Sequence, residues 1–212
     1  VRGQTMFRAQ SYEVTLQAGT MVGVEKEERL STRWLQSFKF RHPWLQLNLL
    51  TAFAAGAVVG IFEGTVEKLV ALAVFLPVLA GQSGNTGCQA LAVTLRGLTL
   101  GELKPGAERA LVLKEGLLGF LNGSFTGLVA GLGMFAYATM TGSKHALMLG
   151  GVVWLALVGA CVVSGICGAL IPLTLKRMGL DPATASSIFL TTATDVVSMG
   201  LLLGLATILI RF

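Results

Sequence analysis

An aspartate inside an apolar run is the residue with the clearest chemical potential. Asp195 closes the stretch Thr191-Thr192-Ala193-Thr194-Asp195, about a dozen residues into an apolar segment over 183–210. At a rise of about 1.5 Å per residue it lies roughly 18 Å along a helix, near the middle of a bilayer. A carboxylate there costs several kcal/mol unless it meets water, an ion or a partner. No Lys or Arg falls at similar depth in another apolar segment, and no other acidic residue falls deep inside one. A cation or a water-filled path is the simplest partner; the competing reading is a protonated, hydrogen-bonded Asp with a structural role.

A second constellation is Gly81-Gln82-Ser83-Gly84-Asn85-Thr86-Gly87-Cys88-Gln89, where small and polar residues interrupt an apolar segment. It has no Gly-Lys-Ser/Thr ending, so it is not a phosphate loop. With Pro77 before it, the stretch predicts a broken helix whose freed carbonyls line a cavity. Glue between helices is the alternative use of such polar groups. Gly81, Gly84 and Asn85 are candidate pore-lining residues beside Thr191, Thr192 and Thr194, with Asn85 and Asp195 brought to similar depth. Oxygen and amide ligands at this depth suit hard cations such as Mg²⁺ or Ca²⁺; softer metals want His or Cys. One carboxylate is thin for a divalent ion, whereas two copies of Asp195 across a symmetric dimer supply two charges. Glu63 and Glu67 fall near one mouth and read either as concentrating cations or as an ordinary solvated loop.

Five apolar segments position these residues, near 43–63, 66–95, 116–140, 147–175 and 183–210. Each is long enough to span a bilayer, which takes about 20 residues. Before them, Leu30, Trp34 and Phe38 recur every four residues among Lys26, Arg29, Arg33 and Lys39, predicting an amphipathic surface helix over 25–41. Residues 1–42 thus read as a cytoplasmic linker with that helix, and 43–212 as the membrane domain. Thirteen Lys and Arg fall on one side of the five segments and three on the other. The positive-inside rule then puts the N-terminus in the cytoplasm and the C-terminus outside, which needs an odd number of spans.

Composition agrees. The chain has 212 residues, 53% hydrophobic and 13% charged, where a soluble domain carries about 25% charged. The net charge of +5 does not form one basic stripe, so nucleic acid is not an expected partner. Cys88, Cys161 and Cys167 form no CxxC pair and read as small packing residues; His42 and His145 read as interfacial. Gly56, Gly60 and Gly64, and Gly119, Gly123, Gly127 and Gly131, repeat every four residues, a pattern for close helix approach to a partner in the same or another chain. No nucleophile–base pair or His cluster suggests an enzyme.

The stretch Pro77-Val78-Leu79-Ala80-Gly81-Gln82-Ser83-Gly84-Asn85-Thr86-Gly87, on through Arg96-Gly97-Leu98 to Gly101-Glu102, resembles the MgtE family of magnesium channels. So do Gly168-Ala169-Leu170-Ile171-Pro172, Lys176-Arg177 and the threonines before Asp195, the match covering about 30–212. The resemblance implies an all-α membrane homodimer in the bilayer with five transmembrane helices per subunit and a pore at the dimer axis, lined by the second and fifth helices. It implies that Asp195 binds the ion centrally and that Asn85 faces the same pore. The transported ion would be Mg²⁺, with Mn²⁺, Co²⁺ or Ca²⁺ as further candidates, in a bacterial or archaeal inner membrane. Many members carry a cytoplasmic helical domain and paired CBS domains ahead of the membrane part. Here the expectation is that such domains were removed, or that this is a short member gated otherwise. The rival functions are an Na⁺- or H⁺-coupled exchanger and a non-transporting membrane scaffold.

Overall fold

A computed structural model describes residues 20–184 and 186–210. Among them are six helices: α1 (Trp34–Ile61), α2 (Glu63–Lys68), α3 (Val70–Thr99), α4 (Glu108–Met140), α5 (Ala146–Arg177) and α6 (Ser186–Leu209). Arg2, Arg8 and Arg211, which enter the charge count, lie outside the described residues.

Close contacts give the directions. Val58 of α1 lies by Gly200 and Phe62 by Gly204, so α1 runs parallel to α6. Gly84 faces Thr194 and Gly87 faces Leu190, so α3 runs antiparallel to α6. In the same way α5 is antiparallel to α4, with Gly119 on Cys161 and Gly131 on Gly150. One end of the bundle therefore gathers the start of α1, α4 and α6 and the finish of α3 and α5. Lys39, Arg41, Arg96, Arg109, Lys114, Lys176 and Arg177 sit toward that end, while Lys68 and Lys144 sit at the other. Short α2 turns the chain at the far end, where Thr65 and Thr207 hydroxyls hydrogen-bond at 2.7 Å.

The central helix is α5, packed on α3, α4 and α6. Leu149, Val153 and Leu157 from α5 meet Leu72 and Leu79 of α3, Met134 of α4, and Leu202 and Leu203 of α6 in one buried cluster. The glycine repeat of α4 explains the closest approach. A Cβ on Gly119 would stand 2.3 Å from the Cys161 carbonyl oxygen, and one on Gly123 would stand 2.9 Å from Val158 Cα. Small residues let two backbones touch, and packing of this kind is what holds helices together in lipid. The repeat thus finds its partner within the chain. By contrast, a Cβ on Gly56, Gly60 or Gly64 would meet nothing within 4 Å, so this second repeat faces open space.

Two expectations change. The separate amphipathic helix over 25–41 does not form: residues 24–33 are turns and extended chain, and α1 begins at Trp34 and continues through Pro43 into the apolar segment. Leu30, Trp34 and Phe38 are all exposed. The predicted break in the second segment is also absent: α3 is continuous from Val70 to Thr99, through Pro77 and Gly81–Gly87. Glycine and hydroxyl side chains replace bulk there, which lets α5 and α6 approach; Ser83, Thr86 and Gly87 are buried. The helix stops at Thr99 because Gly101, at φ 69°, takes the left-handed conformation that ends it.

Four helices, α1, α4, α5 and α6, are long and apolar enough to cross a membrane. α3, with 30 residues, has the length, but small and polar residues from Gly81 to Gln89 interrupt its apolar run.

Candidate functional site

The site is built on α6 and α3. Asp195 is the tenth residue of the 24 in α6, so it sits inside the helix, away from both ends. It is half-buried, and among the described residues no ion pair or hydrogen bond reaches its carboxylate. The nearest helical neighbours differ in this respect. The Thr191 and Thr192 hydroxyls donate to the Ile188 carbonyl at 3.1 and 2.8 Å, and Thr194 donates to Thr191 O at 3.0 Å. Such back-bonding satisfies a hydroxyl inside a helix without any outside partner.

The antiparallel crossing sets the levels. With Gly84 opposite Thr194 and Gly87 opposite Leu190, Asn85 falls within about one helical turn of Asp195 in depth. Asn85 and Gly81 are exposed on one stripe of α3, together with Val74, Val78 and Gln89. Of the candidate lining residues, the structure therefore brings Gly81, Asn85 and Asp195 to the middle of the bundle's length. Gly84 and Thr194 instead fill the α3–α6 contact: Thr194 is buried, and its Oγ1 would lie 3.9 Å from a Cβ on Gly84.

Thr191 lines a cavity of about 450 Å³ at the basic end of α6, one turn from Asp195. Arg41, Trp44 and Asn48 of α1 form its other wall, and Val22 to Val24 border it. Three interactions tie this N-terminal segment down. The Ser187 N–H donates to Met21 O at 3.1 Å, Lys26 Nζ donates to Asp181 at 2.6 Å, and Arg41 Nε donates to Glu28 at 2.8 Å. The Arg41 hydrogen bonds hold the Glu28 carboxyl below its ordinary range. At Asp181 burial raises the carboxyl pKa, but the Lys26 hydrogen bond, the Ala183 N–H and the Lys26 charge together bring it below the ordinary value.

Glu63 and Glu67 are exposed on α2 at the far end. Thr65 between them bonds Thr207, twelve residues beyond Asp195, so they stand roughly 18 Å along α6 from it. They do not join the Asp195 site. Among the described residues no group of three or more His, Cys, Asp or Glu comes together to hold a metal. Cys161 and its neighbours are free thiols within the packing.

Asp195 is not the sole carboxylate inside an apolar helix. Hydropathy starts the third apolar segment near 116, yet α4 begins at Glu108, so Glu115 is the eighth residue of the helix and is buried. The sequence does carry a signal for it: Glu115 falls four residues before Gly119, on the backward extension of the glycine stripe that packs against α5.

Long apolar helices, a polar stripe on one of them and an unpaired carboxylate within another define a multi-pass helical membrane protein. The MgtE family model, described as a divalent cation transporter, matches residues 76–205, more than half of the chain. The chain belongs to the MgtE family. It is 32% identical over 192 residues to the magnesium transporter MgtE of Enterococcus faecalis, covering 91% of this chain and 41% of that protein. The magnesium transporter MgtE of Bacillus subtilis is 35% identical over 171 residues, 81% of this chain and 37% of the relative. That of Thermus thermophilus is 32% identical over 168 residues, 79% and 36%. The chain thus spans well under half the length of these relatives.

Proposed function

We propose that this chain is the membrane part of a Mg²⁺ channel, a homodimer with five crossings per subunit whose ion path runs between α3 and α6 of the two subunits. The observation that carries the reading is Asp195: a carboxylate within an apolar helix that no cationic side chain of the described residues reaches. Its cost in a membrane is offset most simply by a cation. The exposed stripe of α3 supports a dimer. Asn85 turns a polar amide outward at bilayer depth, where lipid cannot satisfy it, whereas a facing subunit or a hydrated path can.

Two Asp195 carboxylates, one per subunit, supply two negative charges for a doubly charged ion that keeps most of its water. The basic end of the bundle is the cytoplasmic one, which places the N-terminus inside and the C-terminus outside. A membrane potential of 100 mV then drives a divalent ion inward with about 4.6 kcal/mol, twice the single-charge figure. Reconstituted in liposomes, the chain takes up Mg²⁺, and Asp195→Asn lowers the uptake about tenfold or more, the loss of roughly 1.4 kcal/mol or more of stabilisation. Equal uptake by folded wild type and variant removes Asp195 from the path and with it this reading.

A further inference from the structure

Glu115 has no role in the path just described, yet it is a carboxylate buried inside an apolar helix. Its side chain is 7% exposed. It borders a recess of about 180 Å³ between α3, α4 and α5, with Thr86, Gln89, Lys114, Asn122 and Gly165. At about 30 Å³ per water, the recess has room for several. Polar groups from two helices converge on it: the Gln89 and Asn122 amides stand exposed at the rim, and the carboxylate lies within.

The Lys114 ammonium is the one cation on Glu115 among the described residues. It stands 3.5 Å from Oε1, on a side chain that is 59% exposed. Successive residues of a helix point about 100° apart, so Lys114 reaches round to make this contact and holds it loosely. A second recess of about 180 Å³ shares Val93 and Lys114 with the first and continues past Gly97 to Glu102, at the basic end of α3. Lys114 thus lines both recesses, between the buried carboxylate and the basic end.

We propose that this recess is a monovalent-cation site, in which Glu115 binds Na⁺ in exchange for the Lys114 ammonium, with waters held by the Gln89 and Asn122 amides at the rim completing the ligand set. Charge decides between monovalent and divalent ions. One carboxylate neutralises one positive charge, as Lys114 does in the empty site. A divalent ion leaves a surplus charge in a recess otherwise walled by Ala90, Val93 and Leu118, beside an ammonium that repels it. Oxygen donors of this kind suit a hard cation.

The test is equilibrium binding of radioactive ²²Na⁺ to the purified, detergent-solubilised chain, with choline holding ionic strength constant. Asp195→Asn serves as a second background, which keeps this site separate from the Asp195 path. The expected result is saturable binding, displaced by unlabelled Na⁺, unchanged in Asp195→Asn and reduced at least about tenfold by the near-isosteric Glu115→Gln. Asn122→Leu, at the exposed rim, weakens binding without touching the α4–α5 packing and stands in if Glu115→Gln does not fold. Lys114→Ala tightens binding, because the competing ammonium is gone. The proposal is overturned if folded wild type binds no ²²Na⁺, if Glu115→Gln binds as well as wild type, or if Asp195→Asn alone abolishes the signal.

Discussion

At the scale of residues, what separates Asp195 from the threonines before it is that their hydroxyls are already bonded to their own helix. Thr192→Val therefore changes Mg²⁺ uptake by less than about twofold, while Asp195→Glu, which keeps the charge, retains more uptake than Asp195→Asn. The measurement is initial uptake rate at matched protein density. A second residue-scale prediction concerns pH. Because the folded pKa of Asp181 is depressed, the stability it confers is present above the unfolded value, about 3.9, and is lost as pH falls through the lower folded value. The Lys26–Asp181 pair is partly exposed, so the effect stays below about 1 kcal/mol. The thermal midpoint of wild type should exceed that of Asp181→Asn at pH 6, and the difference should narrow as pH falls below the unfolded value, about 3.9. A gap that does not narrow in acid contradicts the Lys26–Asp181 contribution.

At the scale of elements, the two glycine repeats behave as opposites. Gly119→Ala places a methyl against the Cys161 carbonyl and forces α4 from α5, at a cost of about 1–3 kcal/mol or more. Gly60→Ala meets nothing within the chain and should leave the thermal midpoint unchanged. Equal midpoints for Gly119→Ala and wild type contradict the α4–α5 contact. Spacing predicts close approach for both repeats; which neighbour each meets depends on chain topology, and spacing carries none of that. The polar run in α3 misleads for a related reason. Gly81 to Gly87 is weak in helix propensity, but Ser83, Thr86 and Gly87 are what α5 and α6 pack against, so tertiary contact keeps the helix whole. Lys26, Arg29 and Arg33 show a helical period beside Leu30 and Trp34, but the chain over 24–33 is held instead by long-range side-chain bonds, Lys26 to Asp181 and Arg41 to Glu28. Glu115 is hidden from a hydropathy reading because hydropathy fades gradually at a helix end, which moves the apparent boundary by a few residues. Asp195, in contrast, is legible from type and depth alone.

At the scale of the whole molecule, α1 is the least enclosed element: Ala55 is its one buried residue, and its main neighbour is α6. The outward Asn85 amide of α3 lies on the surface that the proposed second subunit would cover. In nanodiscs the chain should have twice the monomer mass, and Asn85→Cys in a background lacking the three native cysteines should cross-link to itself across the dimer axis. A monomer that still transports would remove the dimeric path. Whether a cation crosses at Asp195 is decided by potential-driven Mg²⁺ uptake. Proteoliposomes holding folded wild type or Asp195→Asn are compared at an imposed inside-negative potential and at none. Uptake should rise with potential in wild type and collapse in the variant; potential-driven uptake of equal size in both would rule out passage at Asp195.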